Sequence, residues 1–288
     1  SHGGMGEVWR AEHRLLARTS AIKLILADGG SVSSRQTLLR FEREARATAS
    51  LRSPHTIQVY DYGVTDDGRF YYVMELLDGF GMDDLVRRFG PLPEERVVHL
   101  LSQACHSLEE AHRAGLVHRD VKPGNVFVCR YGLDVDFVKV LDFGLVKPAV
   151  ADDRPDLTED GLVQGTPSYM APEVVLGRHV DGRADLYGLG CVGYYLLTGE
   201  PPFPEHGRKP LEVMFDHAYR APLRPSERIG TPVHPGLEQL LMSCLEKDPE
   251  DRPGSALELD TKLASLRLEG RWSGERARTW WERLDSSH

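Results

Sequence analysis

The chain is poor in cysteine, and the four it has are not placed for chemistry. Cys105, Cys129, Cys191 and Cys244 are scattered with no CxxC pair, which excludes a disulfide framework or a thiolate metal cluster and fits a reducing setting. A long apolar run is also missing. The uncharged apolar-looking run Gly188 to Gly199 is too short to cross a bilayer, and the opening SHGGMGEVWR lacks the apolar core of a signal peptide. Positive charge is in deficit: 35 Lys and Arg against 44 Asp and Glu give a formal net charge of −9. Such a chain is a poor candidate for tracking a phosphate backbone, so no nucleic-acid partner is expected. The acidic balance serves solubility, with attraction of basic peptides as the alternative. Internal repeats and low-complexity tracts are absent too. What remains is ordinary globular usage, 41% hydrophobic and 27% charged over 288 residues, which rules out collagen-like, disordered and coiled-coil chains. The length suits one large or two small domains.

The hydrophobic pattern changes along the chain. Glu7–Ala11 and Ala21–Ile25 are short β-leaning runs. A Gly/Ser-rich loop is expected from Asp28 to Ser34. Leu38, Phe41, Ala45 and Ala49 then recur at helical spacing, predicting a helix from Arg35 to Leu51. Val59–Tyr60 and Phe70–Glu75 read as strands around an Asp66-Asp67-Gly68 turn. Leu77 to Gly81 has the glycine content of a linker. A long helix is predicted after Pro93, with Glu94 and Glu95 suiting its N-terminal dipole and Gly115 its stop. Short strands are expected at Val126–Val128 and Val138–Leu141, and beyond Pro172 the pattern is helical to about Leu268. The expectation is an α+β, bilobal architecture: a sheet-rich small lobe over 1–77, a larger helical lobe over 78–268, and a helical tail or connector over 269–288.

Several segments carry chemistry. In Ser1-His2-Gly3-Gly4-Met5-Gly6-Glu7-Val8, glycines would let backbone N–H groups approach phosphates closely, although an ordinary Gly-rich turn reads the same way. Lys23, alone in an apolar strand, is either a snorkelling surface lysine or a cation for α/β-phosphates paired with a helix carboxylate. Glu44 is the candidate carboxylate and Glu42 its competitor. The decisive stretch is His118-Arg119-Asp120-Val121-Lys122-Pro123-Gly124-Asn125, followed by Asp142-Phe143-Gly144 and Ala171-Pro172-Glu173. In this order they match the HRDxxxxN, DFG and APE set of protein kinases.

With these motifs the chain resembles the eukaryotic-like serine/threonine protein kinases, and Gly3 to Trp9 looks most like their bacterial members. The resemblance covers roughly residues 1 to 268. It implies a bilobal fold with ATP and Mg²⁺ in the cleft, protein substrates bearing Ser or Thr, and transient self-association for autophosphorylation. It further implies that Asp120 accepts the substrate hydroxyl proton, Lys122 neutralises γ-phosphate charge, and Asn125 and Asp142 hold Mg²⁺. Lys23 would hold the phosphates and pair with Glu44. Gly3, Gly4 and Gly6 would cradle the phosphates, Glu75 to Leu77 would form the adenine hinge behind Met74, and Val8, Ala21 and Val128 would wall the adenine, with core packing the alternative for these three. Lys122 and Thr166 resemble the Ser/Thr branch, Thr166 contacting Asp120 or capping a turn. Arg119 would receive a phosphate on Thr158, with an unmodified loop threonine as the alternative. Asp185 would brace the catalytic loop, and Arg252 would pair with Glu173. All lost-function marks of a pseudokinase scaffold are absent, since Lys23, Asp120 and Asp142 are all present. A small-molecule kinase is disfavoured by the Ala171-Pro172-Glu173 segment.

The departures from the family pattern carry their own expectations. Ser1 stands where the first loop glycine belongs, and the preceding strand would lie before the chain's start, leaving four strands in the small lobe. The Asn125–Asp142 spacing is longer than usual, predicting an enlarged turn at Tyr131 to Asp136. Three of the four tryptophans, Trp272, Trp280 and Trp281, fall in the tail. There Arg278 to Leu284 would be a docking helix, a juxtamembrane connector or a helix packed on the large lobe. A cytoplasmic location is expected, as a free protein or as the cytosolic part of a longer membrane-anchored one.

Overall fold

The β-branched runs of the first quarter form a sheet because their alternate residues share one apolar face. The computed structural model describes residues 2–3, 6–14, 17–25, 42, 45–143 and 166–286. Strands β1 (His2–Gly3), β2 (Gly6–His13), β3 (Arg18–Ile25), β4 (Val59–Val64) and β5 (Phe70–Glu75) make one antiparallel sheet in the order β1-β2-β3-β5-β4. Ile25, Phe70 and Tyr72 bury one face of it against Ala45 of the helical stretch 45–50. The sheet therefore has five strands where four were expected. The first is only two residues long, because His2 and Gly3 fold back to pair with Glu7 and Gly6. Most of the helix expected from Arg35 lies outside the described residues.

A second sheet lies below the joint: β6 (Asp78–Gly81), β7 (Val126–Tyr131) and β8 (Asp134–Val140), all antiparallel. This corrects two expectations. The glycines read as a linker belong to β6, and their purpose is close approach: a Cβ on Gly79 would lie 2.1 Å from the Val128 carbonyl oxygen. The extra residues before Asp142 do not enlarge a turn either. Tyr131 pairs directly with Asp134, so the surplus lengthens the two paired strands, and a register shift between Cys129 and Tyr131 takes up one residue of it as a bulge. Within β8, Asp136 has a φ of 54° and is fully buried.

The helical lobe contains α1 (Met82–Phe89), α2 (Glu94–Arg113), α3 (Pro172–Val175), α4 (Gly182–Thr198), α5 (Pro210–Tyr219), α6 (Pro225–Ile229), α7 (Pro235–Cys244), α8 (Ala256–Ser265) and α9 (Gly274–Asp285). Helix α2 begins and ends as read, stopping at Gly115 with φ 76°. Helix α4 is apolar around nearly its whole circumference and is buried accordingly. Its leucines pack with Leu100, Leu101 and Leu108 of α2 and with Leu237 and Leu241 of α7 in the main core. Helix α9 packs on that same core through Trp280, Trp281 and Leu284, so the tail helix belongs to the large lobe. All four cysteines are buried thiols, and burial pushes Cys129 up to about 12. No described helix is long and apolar enough to cross a membrane.

Candidate active site

The catalytic-type loop is shaped by one buried carboxylate. Asp185, near the start of α4 and 1% exposed, accepts the His118 N–H and the Arg119 N–H at 2.8 Å each. It also accepts a hydrogen bond at 2.8 Å from His112 Nε2. These bonds hold Arg119 at a φ of 63°, a region a non-glycine residue enters only when its surroundings compel it. The His118 ring fixes the next step: its Nδ1 accepts the Asp120 N–H at 3.2 Å and its Nε2 donates to the Leu141 carbonyl at 2.7 Å. Phe143 packs beside that ring, with centroids 4.7 Å apart. The brace expected of Asp185 is present, and so is the Arg252–Glu173 pair, two buried hydrogen bonds of 2.7 Å.

Asp120 projects from this loop into a chain of polar groups. Asn125 Nδ2 donates to its carbonyl at 2.8 Å and to its Oδ2 at 2.9 Å. Lys122 Nζ lies 2.9 Å from the same Oδ2 and donates to Thr166 Oγ1 at 3.0 Å. Thr166 thus reaches Asp120 through Lys122. With its amide nitrogen turned to Asp120, Asn125 has no hydrogen bond to its amide oxygen among the described residues. The Leu141 N–H donates to the Asn125 carbonyl at 2.8 Å, placing Asp142 alongside. Asp142, at φ 58°, receives Lys23 Nζ at 2.6 Å across the cleft between lobes. An amide oxygen and a carboxylate facing a polar cleft are the hard oxygen donors that suit Mg²⁺.

At the joint, the Glu75 N–H donates to the Gln58 carbonyl at 3.0 Å, and the Gln58 N–H donates to Glu75 Oε1 at 2.9 Å. The same oxygen takes Lys139 Nζ at 2.7 Å, with the lysine 2% exposed. Leu77 lies outside any strand, and its N–H has no acceptor among the described residues. Ala21 is buried and Val8 half-buried on the sheet above. Val128 is wholly buried in the large-lobe core, so of its two readings core packing holds and the adenine wall does not. Period-2 alternation in β7 turns Val126 and Val128 inward and leaves Phe127 half-buried on the opposite face. Gly3 of β1 pairs with Gly6 of β2. Glu42 makes an exposed ion pair with Arg46 at 3.8 Å, so Glu44's competitor faces solvent. Gly4, Glu44 and Thr158 lie outside the described residues. Sequence reasoning missed Lys139, although a lone lysine between Val138 and Val140 shortly before Asp142 was a visible signal.

A model of the protein kinase domain family matches residues 2–263. The chain belongs to the protein kinase domain family. Its relatives include the serine/threonine-protein kinase pkn3 of Myxococcus xanthus, 38% identical over 93% of this chain and 49% of that protein. PknB of Mycolicibacterium smegmatis is 39% identical over 91% of this chain and 41% of that protein. The chain thus spans about half, or less, of these relatives' length. Among solved structures, a double mutant of the Mycobacterium tuberculosis PknI kinase domain matches with a TM-score of 0.71 and 27% identity, over 92% of this chain and 91% of that one. Rad53 1–466 in complex with AMP-PNP also has a TM-score of 0.71, at 24% identity over 91% of this chain and 62% of that one, a likeness of fold alone. The bilobal kinase fold read from the sequence is borne out.

Proposed function

We propose that this kinase domain transfers the γ-phosphoryl group of ATP to serine or threonine hydroxyls of proteins. The observation that carries the reading is the Asn125–Asp120–Lys122–Thr166 chain, with Asp142 held beside it. Phosphoryl transfer needs mostly positioning and charge neutralisation, and these groups are arranged for both. Asp120 Oδ2 accepts the proton of the attacking hydroxyl, oriented by Asn125. Lys122 moves between Thr166 and the γ-phosphate, and Thr166 shapes the hydroxyl's approach. Asn125 Oδ1 and the Asp142 carboxylate would hold Mg²⁺, which would supply neutralisation of the phosphate charge.

Lys23, now on Asp142, turns to the α/β-phosphates and pairs with Glu44, while Gly3, Gly4 and Gly6 cover them. Leu77 N–H and the Glu75 carbonyl meet the adenine edge, with Val8, Ala21 and the exposed face of Phe127 around the ring. Arg119 receives a phosphate on Thr158, placed there by a second copy of the chain, through charge-assisted hydrogen bonds. The working location is the cytoplasm. Incubation with labelled ATP, Mg²⁺ and a generic basic protein, followed by phosphoamino-acid analysis, tests the reaction. Phosphoserine and phosphothreonine are expected; label on no protein, or on tyrosine alone, overturns the reading. Mass spectrometry after incubation with Mg·ATP alone is expected to place phosphate on Thr158. Phosphate confined to serines outside residues 142–173 counts against that site.

A further inference from the structure

Residues 264–286 lie beyond the stretch matched by the family model, yet part of this tail is built into the chain's interior. Its anchor is Asp136, the fully buried residue that the β8 bulge turns inward. Its carboxylate accepts four hydrogen bonds. Arg96 of α2 supplies two, from Nε and Nη2 at 2.8 Å each. The tail supplies the others: Trp272 Nε1 at 2.8 Å and Trp281 Nε1 at 2.7 Å. Trp280 covers the Arg96 guanidinium with its ring, 4.0 Å from the centroid. A buried charge pair sealed by three indoles is a costly arrangement to keep merely to end a fold, because each member leaves water and must be fully paired.

The tail reaches the nucleotide side through two strands, β6 and β8. Trp281 stacks on Phe80 of β6, with centroids 5.6 Å apart and planes 27° from parallel. Arg130 of β7 joins Asp78 of β6, at 3.4 Å, to Asp285 of α9, at 2.6 Å. Strand β6 follows directly on the hinge residues Glu75 to Leu77, and β8, which carries Asp136, leads to Asp142. The tail therefore grips both strands that place the adenine hinge and the Asp142 carboxylate.

We infer that Arg271–Asp285 is an in-chain clamp that sets the position of the nucleotide hinge, with Asp136 and Trp281 as its positioning residues. The inference rests on the reading of 75–77 as the nucleotide hinge. Loosening the clamp lets β6 shift against β7, so nucleotide affinity falls while the catalytic loop, braced separately by Asp185, keeps its geometry. Coupling is reciprocal, so nucleotide binding must in turn alter the surroundings of the tail indoles.

The test uses the full chain and measures ATP binding by calorimetry together with kcat at saturating ATP. Trp281→Phe keeps the stack on Phe80 and removes one donor from Asp136; Arg130→Gln cuts the β6–α9 link at the surface. Both are expected to weaken ATP binding, Trp281→Phe by about fivefold, the low end of coupling between sites, with kcat unchanged. In a Trp9→Phe protein every remaining tryptophan lies in the tail, and ATP is expected to change their emission. Unchanged ATP affinity in both variants with silent tail emission overturns the clamp, even if melting temperatures fall. If Trp281→Phe does not fold, Arg130→Gln and the emission change decide. A wild-type chain that binds no ATP overturns the hinge reading itself, a result separate from a chain that binds ATP indifferently to its tail.

Discussion

Replacing Asp185 tests how the kinase catalytic loop is held. In Asp185→Ala the N–H groups of His118 and Arg119 and the Nε2 of His112 lose their acceptor together. A buried donor left unpaired costs about 1–3 kcal/mol. The buried His118 N–H meets that cost in full, whereas the part-buried Arg119 N–H and His112, with 15% of its side chain exposed, recover part of it from water. The expected loss is about 2–6 kcal/mol, a large share of an ordinary domain's 5–15 kcal/mol. Asp185→Asn separates bracing from bulk. The two N–H groups use different carboxylate oxygens, so an amide must turn its NH₂ toward one of them, and the expected loss is about 1–3 kcal/mol. Urea unfolding gives both values, and transfer assays should show activity falling in the same order as the loop loses the geometry that holds Arg119. An Asp185→Ala protein within about 1 kcal/mol of wild type, or less perturbed than Asp185→Asn, would refute the reasoning.

Two further predictions concern stability. Glu173→Ala leaves the Arg252 guanidinium buried without its carboxylate and should cost about 3–5 kcal/mol in urea unfolding, with Glu173→Gln costing less; equal stability of the two would contradict this. His217 is held by burial, and secondarily by Lys247, at about 3 against an ordinary 6.5. Between those values the unfolded chain binds the extra proton, so this contribution is full above pH 6.5 and is lost as pH falls toward 3, at up to about 1.4 kcal/mol per pH unit. The stability gap between wild type and His217→Gln should therefore narrow over that window, and parallel curves would contradict it.

Much of this was legible because periodicity and motif order are local properties. The strands around Asp66-Asp67-Gly68, helix α2 with its Gly115 stop, and the grouping of Asp120, Lys122, Asn125 and Asp142 all follow from residues near one another in sequence. What escaped reading depends on partners far along the chain. Gly79 reads as a loose joint until β7 is laid against it. Lys139 reads as an outward lysine until Glu75, 64 positions away, receives it. Val128 fits a cleft wall or the core equally well in sequence, because either face of a short strand suits both, and only the core behind it decides. Asp136 gave no signal at all, since its partners come from α2 and from the tail.

The reading of Asp120 as the proton acceptor is the centre of the account, and Asp120→Asn tests it most directly. The substitution keeps size and hydrogen-bonding shape beside Asn125 and Lys122 while removing the basic oxygen. Phosphate transfer from labelled Mg·ATP to a basic protein and ATP affinity should be measured on the same preparation. The account predicts a fall of roughly 10²–10⁴-fold in transfer with ATP affinity nearly unchanged. Transfer within about tenfold of wild type would contradict it.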